Sequence, residues 1–185
     1  GGLVIVRDKN KMDSDKARKK INTSLKKNYF WGEREWPYKN VKPRIIAEKY
    51  LENSSKGLRD YKFFTFNGES KFVYVSEGME DHSTAKMSFY DFDGNEMDFH
   101  RTDYPQFKTS PKFPSNMDEM KRLSTELAQV INCPFVRIDL YSVKDIIYFS
   151  EITFFPYSGM LSFEPAKWDK KLGDLIDIPL ESVNS

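Results

Sequence analysis

FVRIDLYSVKDIIYFSEITFFPYSG, residues 135–159, predicts two apolar strands joined by a short turn at residues 144–145. β-Branched and aromatic residues dominate both halves, which favours a β-hairpin over a helix. Three charged residues, Arg137, Asp139 and Glu151, interrupt the apolar pattern. Because burial of an unpaired carboxylate is costly, such residues usually have a cation or a metal ion beside them. The hairpin is therefore a candidate site as well as a candidate core element.

The predicted register brings the three charges together. A turn at residues 144–145 places Asp139 opposite position 150 or 151, so Glu151 can share a site with Asp139. Arg137 and Asp139 are two residues apart and point to the same face of their strand. Two facing carboxylates beside an arginine suit Mg²⁺ and phosphate oxygens. A purely structural cluster of ion pairs explains the same residues equally well, because charge clusters are often structural.

Length and charge limit the function classes. The chain has 185 residues, enough for one ordinary domain or two small ones. Its net charge of +1 argues against a dedicated nucleic-acid binder, for which a basic excess is expected. The single Cys133 excludes a disulfide scaffold and fits a cytoplasmic location. The sequence has no run of 18 apolar residues and no recognisable signal peptide, so we expect no membrane span.

The first 50 residues predict a strand, a helix, a loop and a second strand. Gly1 and Gly2 lead into LVIV, a predicted strand at residues 3–6; paired glycines suit a tight loop whose backbone approaches a ligand. A helix is expected from about Asp13 to Tyr29, with Asp13 or Ser14 as its cap. Prolines make 30–43 a predicted loop, and RIIAEKYL, which follows, begins as a buried strand.

The remaining residues predict antiparallel strands and two more helices. DYKFFTF and KFVYV flank Asn67-Gly68, a strong hairpin-turn signal. A strand is expected at 85–91, and a helix at 115–132 in which Ser115 and Asp118 resemble a capping box. A last helix is expected at 166–176. This order predicts an α+β fold with one antiparallel sheet and helices on one face.

These residues together resemble the ATP-grasp superfamily, and the branch they resemble most is the TupA-like family. The resemblance covers nearly the whole chain. The resemblance rests on the segments REWPYKNVKPRIIAEKYL, DYKFFTFNG, SFYDFDGNEM, PFVRIDLY and IYFSEITFFPYSG. Each segment alone is a weak signal, whereas all of them in this order and spacing are a strong one. The resemblance implies an ATP-grasp fold, with residues 1–50 as the remainder of the small subdomain and residues 51–185 as the C-terminal subdomain.

The resemblance also implies an ATP site and a magnesium site. The nucleotide would be held by the glycine loop, the linker between subdomains, and an acidic residue and a lysine for ribose and phosphates. These ATP-binding residues are Gly1, Gly2, Glu48, Lys49, Tyr50, Leu51, Asp60 and Lys62. Arg137 would be catalytic and neutralise charge on the transferred phosphoryl group. The Mg²⁺ ligands would be Asp139, Glu151 and Thr153, and the substrate would contact Ser158 and Gly159.

The chain departs from the superfamily pattern in two places. The usual third metal ligand is an asparagine, where this chain has the weaker ligand Thr153. The family also has a phosphate-contacting lysine on a strand before the glycine loop. Because this sequence starts at Gly1-Gly2, without Met, we interpret it as N-terminally truncated, and we expect the nucleotide site to be incomplete.

The expected activity is that of an ATP- and Mg²⁺-dependent ligase. Such an enzyme forms an acylphosphate from a carboxylate and ATP, and an amine then attacks it, taking the acyl group and releasing phosphate. The TupA-like branch places this in bacterial cell-surface polysaccharide (teichuronopeptide-like) synthesis. Its partners would be ATP and the carboxylate and amine substrates of a cell-surface polymer. One alternative is a glycosyltransferase using the Asp91-Phe92-Asp93 motif. The other is a non-catalytic accessory protein of polysaccharide synthesis, which the three hairpin charges argue against.

Overall fold

A computed structural model describes residues 2–51, 58–79 and 83–178 of the chain. The chain divides into two compact units, Gly1–Leu51 and Glu52–Ser185, where the sequence predicted a division after residue 50. None of the helices in the described ranges is long and apolar enough to cross a bilayer.

The first unit is built from short helices. They are a 3-10 turn Lys9–Lys11, helix α1 Ser14–Leu25, helix α2 Tyr29–Glu33 and a 3-10 turn Trp36–Tyr38. Asp13 caps α1, since its carboxylate accepts a hydrogen bond from the Lys16 N–H at 2.9 Å, which confirms the predicted start. The predicted helix extended to Tyr29, but α1 ends at Leu25. The loop predicted at residues 30–43 instead contains most of α2 and the second 3-10 turn.

The two strands predicted in the first unit were wrong. Residues 3–6 and 44–47 form no β-ladder with any other described residue. As a result Leu3, Ile45 and Ile46 are exposed rather than buried. β-Branched side chains favour extended backbone, but a strand also needs a hydrogen-bonded neighbour, and that depends on tertiary contacts which local sequence does not report.

The second unit is organised around an antiparallel sheet. Its five strands lie in the order β3-β2-β1-β5-β6, and a two-stranded sheet pairs β4 with β7. The strands are β1 Asp60–Phe66, β2 Glu69–Glu77, β3 Lys86–Tyr90, β4 His100–Arg101, β5 Phe135–Val143, β6 Ile146–Thr153 and β7 Phe163–Glu164. The helices are α3 Met117–Ile131 and α4 Lys167–Gly173, and a 3-10 turn spans Pro156–Gly159. The predicted α+β fold with flanking helices is confirmed.

Alternation along the strands gives the large sheet two different faces. One face packs against α3 through a core that includes Phe63, Met120 and Ile138. The other packs a second cluster, rich in aromatic rings, against α4 through Leu172. The prediction that the helices share one face was therefore wrong. Residues one apart on a strand point to opposite faces, so Phe63 and Phe64 belong to different cores.

Helix α3 begins differently from the predicted capping box. Asn116 precedes the helix without a side-chain capping hydrogen bond. The hydroxyl of Ser115 instead donates to the Asp145 carboxylate at 2.5 Å, and the Asn116 amide donates to the Asp145 carbonyl at 3.1 Å. Both side chains are used to tie the start of α3 to the β5–β6 turn, which the sequence pattern could not reveal.

Candidate active site

Three neighbouring strands place charged residues in one row across the second face of the sheet. Lys62 of β1 is directly opposite Asp139 of β5, and Asp139 is directly opposite Glu151 of β6. The turn at residues 144–145 has positive φ at both positions. Leu140 is opposite Phe149, and a register shift between Asp139 and Leu140 then places Asp139 opposite Glu151 rather than Ser150. The predicted pairing of Asp139 with Glu151 is therefore confirmed, and β1 adds Lys62 to the same row.

The charges form a continuous chain of ion pairs. The Lys62 ammonium lies 2.5 Å from an Asp60 oxygen and 2.7 Å from an Asp139 oxygen. The Arg137 guanidinium donates to both oxygens of Asp139 at 2.7 Å and to Glu151 at 2.9 Å. Positive and negative groups thus alternate from Asp60 to Glu151. This arrangement holds two cations, Lys62 and Arg137, beside the same carboxylate, Asp139.

Burial and charge act against each other within this chain. Asp139 is fully buried, yet Lys62 and Arg137 outweigh its desolvation and lower the pKa of its carboxyl group. Burial also opposes the charged form of Lys62, but Asp60 and Asp139 outweigh it and raise the pKa of the ammonium. Asp139 is therefore ionised and Lys62 is protonated at neutral pH, and each depends on the other.

Asp60 differs from Asp139 in having an unsatisfied oxygen. Its Oδ1 atom is buried and has no hydrogen-bond partner among the described residues. Desolvation raises the pKa of this carboxyl group despite the attraction of Lys62. Unpaired buried polar atoms are uncommon in folded proteins and call for an explanation such as a ligand or a water molecule. At the Asp60 end of the charged row, one carboxylate oxygen is therefore available to accept a hydrogen bond from a ligand or a water molecule.

The oxygen donors of the row fit a hard divalent cation. Thr153 is opposite Arg137, accepts a hydrogen bond from it at 3.0 Å and donates one to Glu151 at 3.2 Å. Mg²⁺ is usually held by one or two carboxylates together with phosphate oxygens and water. Asp139, Glu151 and Thr153 supply this donor set, although no cluster of three His, Cys, Asp or Glu residues that could hold a metal occurs in the described ranges.

The proposed substrate residues lie on a tight turn directly after β6. Ser158 and Gly159 end the 3-10 turn Pro156–Gly159, where Tyr157, Ser158 and Gly159 all have positive φ. Positive φ is costly for residues with a Cβ atom, so two such residues in succession indicate a turn held by its surroundings. The Arg101 guanidinium lies 5.7 Å from the centre of the Tyr157 ring and provides one such contact.

The residues predicted to bind adenine belong to the first unit. Glu48 and Lys49 are exposed and Tyr50 and Leu51 are half-buried, in a segment without regular secondary structure. The Tyr50 hydroxyl accepts a hydrogen bond from Arg7 at 2.9 Å. These four residues remain predictions.

The glycine pair at the start is described only in part. Gly1 lies outside the described residues. A side chain at Gly2 would meet the Cβ atom of Ser24 at 2.6 Å, so close packing already explains a glycine there. The assignment of both glycines to ATP also remains a prediction.

Arg101 is a half-buried charged residue that the sequence pattern did not single out. Its guanidinium pairs with the Asp103 carboxylate, donates to the Tyr74 hydroxyl at 3.2 Å and lies near the Tyr104 ring. Arg101 and Asp103 are two residues apart, as are Arg137 and Asp139. This repeated spacing of opposite charges was the available signal.

The Asp91-Phe92-Asp93 motif forms a turn. The Asp91 carboxylate accepts hydrogen bonds from the backbone N–H groups of Asp93 at 3.0 Å and Asn95 at 2.8 Å, and from the Asn95 side chain at 2.9 Å. These bonds, chiefly those from Asn95, lower the pKa of Asp91. The motif therefore has a structural explanation, and nothing about it favours a sugar-nucleotide site.

Comparison with known proteins agrees with this geometry. A family model described as TupA-like ATPgrasp matches residues 1–177 of the 185-residue chain. Comparisons with curated proteins and with solved structures found no match. Since the family match spans almost the entire sequence, including all the strands of the charged row, the chain belongs to the TupA-like ATP-grasp family.

Proposed function

We propose that this protein is an ATP- and Mg²⁺-dependent ligase that forms an acylphosphate from a carboxylate and transfers the acyl group to an amine. The observation that supports it best is the row of Lys62, Asp139 and Glu151 with Arg137 beside it. Phosphoryl transfer requires mainly positioning and charge stabilisation, and this row offers two fixed cations and three carboxylates on one sheet face. Membership of an ATP-grasp family provides independent support.

Each member of the row has a proposed role. Lys62 and Arg137 would bind phosphate oxygens, and Arg137 would remain close to the phosphoryl group as its charge develops. Asp139 and Glu151, with Thr153, would hold Mg²⁺. When bound, the ion neutralises charge on the phosphates and orients them. Lys62 and Arg137 contact Asp139 in the described structure, so they would exchange part of this pairing for phosphate.

The remaining assignments follow the family resemblance. Residues 48–51 would contact the adenine, Asp60 the ribose, and Gly1 and Gly2 the phosphates. Ser158 and Gly159 would contact the carboxylate substrate through the turn after β6. The substrates would be a carboxylate and an amine of a bacterial cell-surface polysaccharide, processed in the cytoplasm.

A purely structural ion-pair cluster is the competing explanation for the row. Two features favour a ligand site. Asp60 Oδ1 is buried and has no hydrogen-bond partner in the part of the chain that the structure describes, which a cluster serving stability alone would be expected to avoid. Glu151 is largely exposed while Asp139 is buried, so the row opens to solvent at one end.

Release of ADP tests the proposal. With ATP, Mg²⁺ and a panel of uronic-acid and amino-acid substrates, we expect Asp139→Asn to reduce ADP release at least about 100-fold, because the metal and the fixed position of Arg137 are lost together. The control is Asp93→Asn, which removes a carboxylate on the turn formed by the Asp91-Phe92-Asp93 motif and should leave the rate unchanged. Equal rates in wild type and Asp139→Asn would refute the assignment.

A further inference from the structure

The first unit has a second cluster of chemically distinctive residues, which the proposed ligase site does not use. Trp31 and Trp36 are 62% and 66% exposed, yet both contact the buried ring of Phe30, at centroid distances of 5.2 and 5.3 Å. The Arg34 guanidinium lies 5.3 Å from the Trp31 ring centre, and the Lys39 ammonium lies 4.3 Å from that of Trp36. We call these four surface residues the aromatic–cationic platform.

The platform is held in place by contacts beneath it. Asn28 accepts a hydrogen bond from the Phe30 N–H at 3.0 Å and donates one to the Lys39 carbonyl at 3.2 Å, which closes the segment on itself. The Tyr29 hydroxyl donates to the buried carboxylate of Glu35 at 3.2 Å. Burial and the Glu35 charge raise the pKa of Tyr29 to about 12. The exposed indoles therefore project from a supported base.

The charge of this segment differs from that of the rest of the chain. Residues 26–44 contain six basic and two acidic residues, a net charge of +4. The whole chain carries +1, so the remaining residues carry −3. One of the two acids, Glu35, is buried beneath the platform. The exposed charge around the indoles is thus mainly positive, and it complements an anionic ligand.

We propose that the platform binds an acidic polysaccharide, a chain of sugar rings that carry carboxylates. Exposed indoles offer apolar surface to the C–H faces of sugar rings, and Arg34 and Lys39 would pair with the carboxylates between them. This deepens the proposed ligase function and rests on it for the biological role, since the platform would hold the polymer whose carboxylates the ligase activates. The binding itself is independent of that reaction.

Two other anionic partners fit the platform less well. Duplex DNA carries one charge per about 1.7 Å of its axis and selects proteins with a dense basic surface, whereas the platform presents two cations, Arg34 and Lys39, beside its indoles. An anionic membrane is typically bound by a longer amphipathic helix, whereas Trp31 and Trp36 lie on a five-residue helix and a 3-10 turn. A hydrated polymer avoids both difficulties.

Tryptophan fluorescence and calorimetry with polygalacturonate as the probe test this proposal. We expect salt-sensitive binding with a change in emission, and no binding of neutral dextran. The variant Arg34→Gln/Lys39→Gln should lose affinity by about fivefold or more. Its matched control is Lys170→Gln/Lys171→Gln, which removes the same charge near Trp168, the third indole, whose ring Lys171 approaches to 4.3 Å. Trp31→Ala and Trp36→Ala should each weaken binding, with circular dichroism to verify folding.

Several results would overturn the proposal: no polygalacturonate binding, an equal loss in both charge variants, or tighter binding of single-stranded DNA or of anionic phosphatidylglycerol vesicles. The same protein is also titrated with Mg²⁺ and ATP. Binding of ATP without polygalacturonate rejects the platform and leaves the ligase proposal standing. Binding of polygalacturonate without ATP supports the platform independently of the ligase proposal.

Discussion

Arg137 connects the parts of the candidate site more than any other residue of the row. Its Nε and Nη2 atoms engage both oxygens of Asp139, and Nη2 also reaches Glu151 and Thr153. A planar guanidinium can maintain such a fork, whereas an ammonium provides one point charge on a flexible stem. The identity of this residue should therefore matter beyond its charge.

We predict that Arg137→Lys lowers the rate of ADP release about 10- to 100-fold while the Kd for Mg²⁺–ATP changes less than about threefold. The retained charge should still attract the triphosphate, but the transferring group would lose its fixed partner. Steady-state kinetics and calorimetry on the same preparation measure the two effects. Arg122→Lys on α3, where the arginine makes an exposed pair with Glu126, is the control. Unchanged kinetics in Arg137→Lys would contradict a catalytic role.

The two aspartates of the row should respond to acid in opposite directions. The lowered pKa of Asp139 means that its ionised form stabilises the fold above the ordinary aspartate pKa of about 3.9, and that this contribution is lost as the pH falls through the folded value. The raised pKa of Asp60 means that its contribution is present below about 3.9 and is lost as the pH rises through the folded value.

Urea unfolding between pH 7 and pH 3, without Mg²⁺ or nucleotide, measures this difference. The loss of unfolding free energy caused by Asp139→Asn should shrink as the pH falls below about 4. The loss caused by Asp60→Asn should grow as the pH falls from 7 towards 4. If both losses change in the same direction, the charge assignment within the row is wrong.

Among the turns, two glycines allow the cost of left-handed backbone to be measured separately from the cost of a close packing contact. Gly68 has φ +78° in the β1–β2 turn, and a Cβ atom there would meet the Gln129 side chain at 3.2 Å. Gly94 has φ +87°, and no atom lies within 4 Å of such a Cβ. Left-handed backbone disfavours any residue with a Cβ atom.

We predict that Gly68→Ala and Gly94→Ala each lower the free energy of unfolding by about 1–2 kcal/mol, with the larger loss for Gly68→Ala because Gln129 must also shift. Chemical denaturation measures both losses. A loss confined to Gly68→Ala would show that the packing contact dominates and that left-handed strain does not.

Local sequence was sufficient to predict some secondary-structure elements and insufficient to predict others. Strand β1 and the hairpin turn at residues 144–145 were predicted, because alternation and turn residues act between near neighbours. That turn limits the partner of Asp139 to residue 150 or 151, and a register shift between Asp139 and Leu140, which the sequence did not indicate, selects Glu151. The strands predicted at residues 3–6 and 44–47 failed because strand formation depends on a partner that distant contacts must supply.

At the scale of the whole second unit, the charged row depends on strands that are far apart in sequence. Lys62 and Asp139 are 77 residues apart, and they meet because β1 and β5 are neighbours in the sheet. The sequence indicated the presence of both strands but not their order. The pairing of Lys62 with Asp60 and Asp139 therefore required the structure, as did the position of α4 on the same face as the charges.

The two faces of the large sheet differ in composition. One face is closed by α3 and an apolar core. The other is apolar near α4 and charged across β1, β5 and β6. Rigid neighbouring strands fix the distances among the charged groups before any ligand arrives, and such preorganisation is what electrostatic catalysis needs.

Calorimetric titration of ATP into the protein with and without Mg²⁺, in wild type and in Asp139→Asn, separates a nucleotide and metal site from a structural ion-pair cluster. We predict Mg²⁺-dependent binding in wild type and a loss of affinity of at least about tenfold in Asp139→Asn, with Asp93→Asn indistinguishable from wild type. Binding of equal strength in wild type and Asp139→Asn, or binding that ignores Mg²⁺, would contradict the claim that the row of Lys62, Asp139 and Glu151 is the nucleotide and metal site.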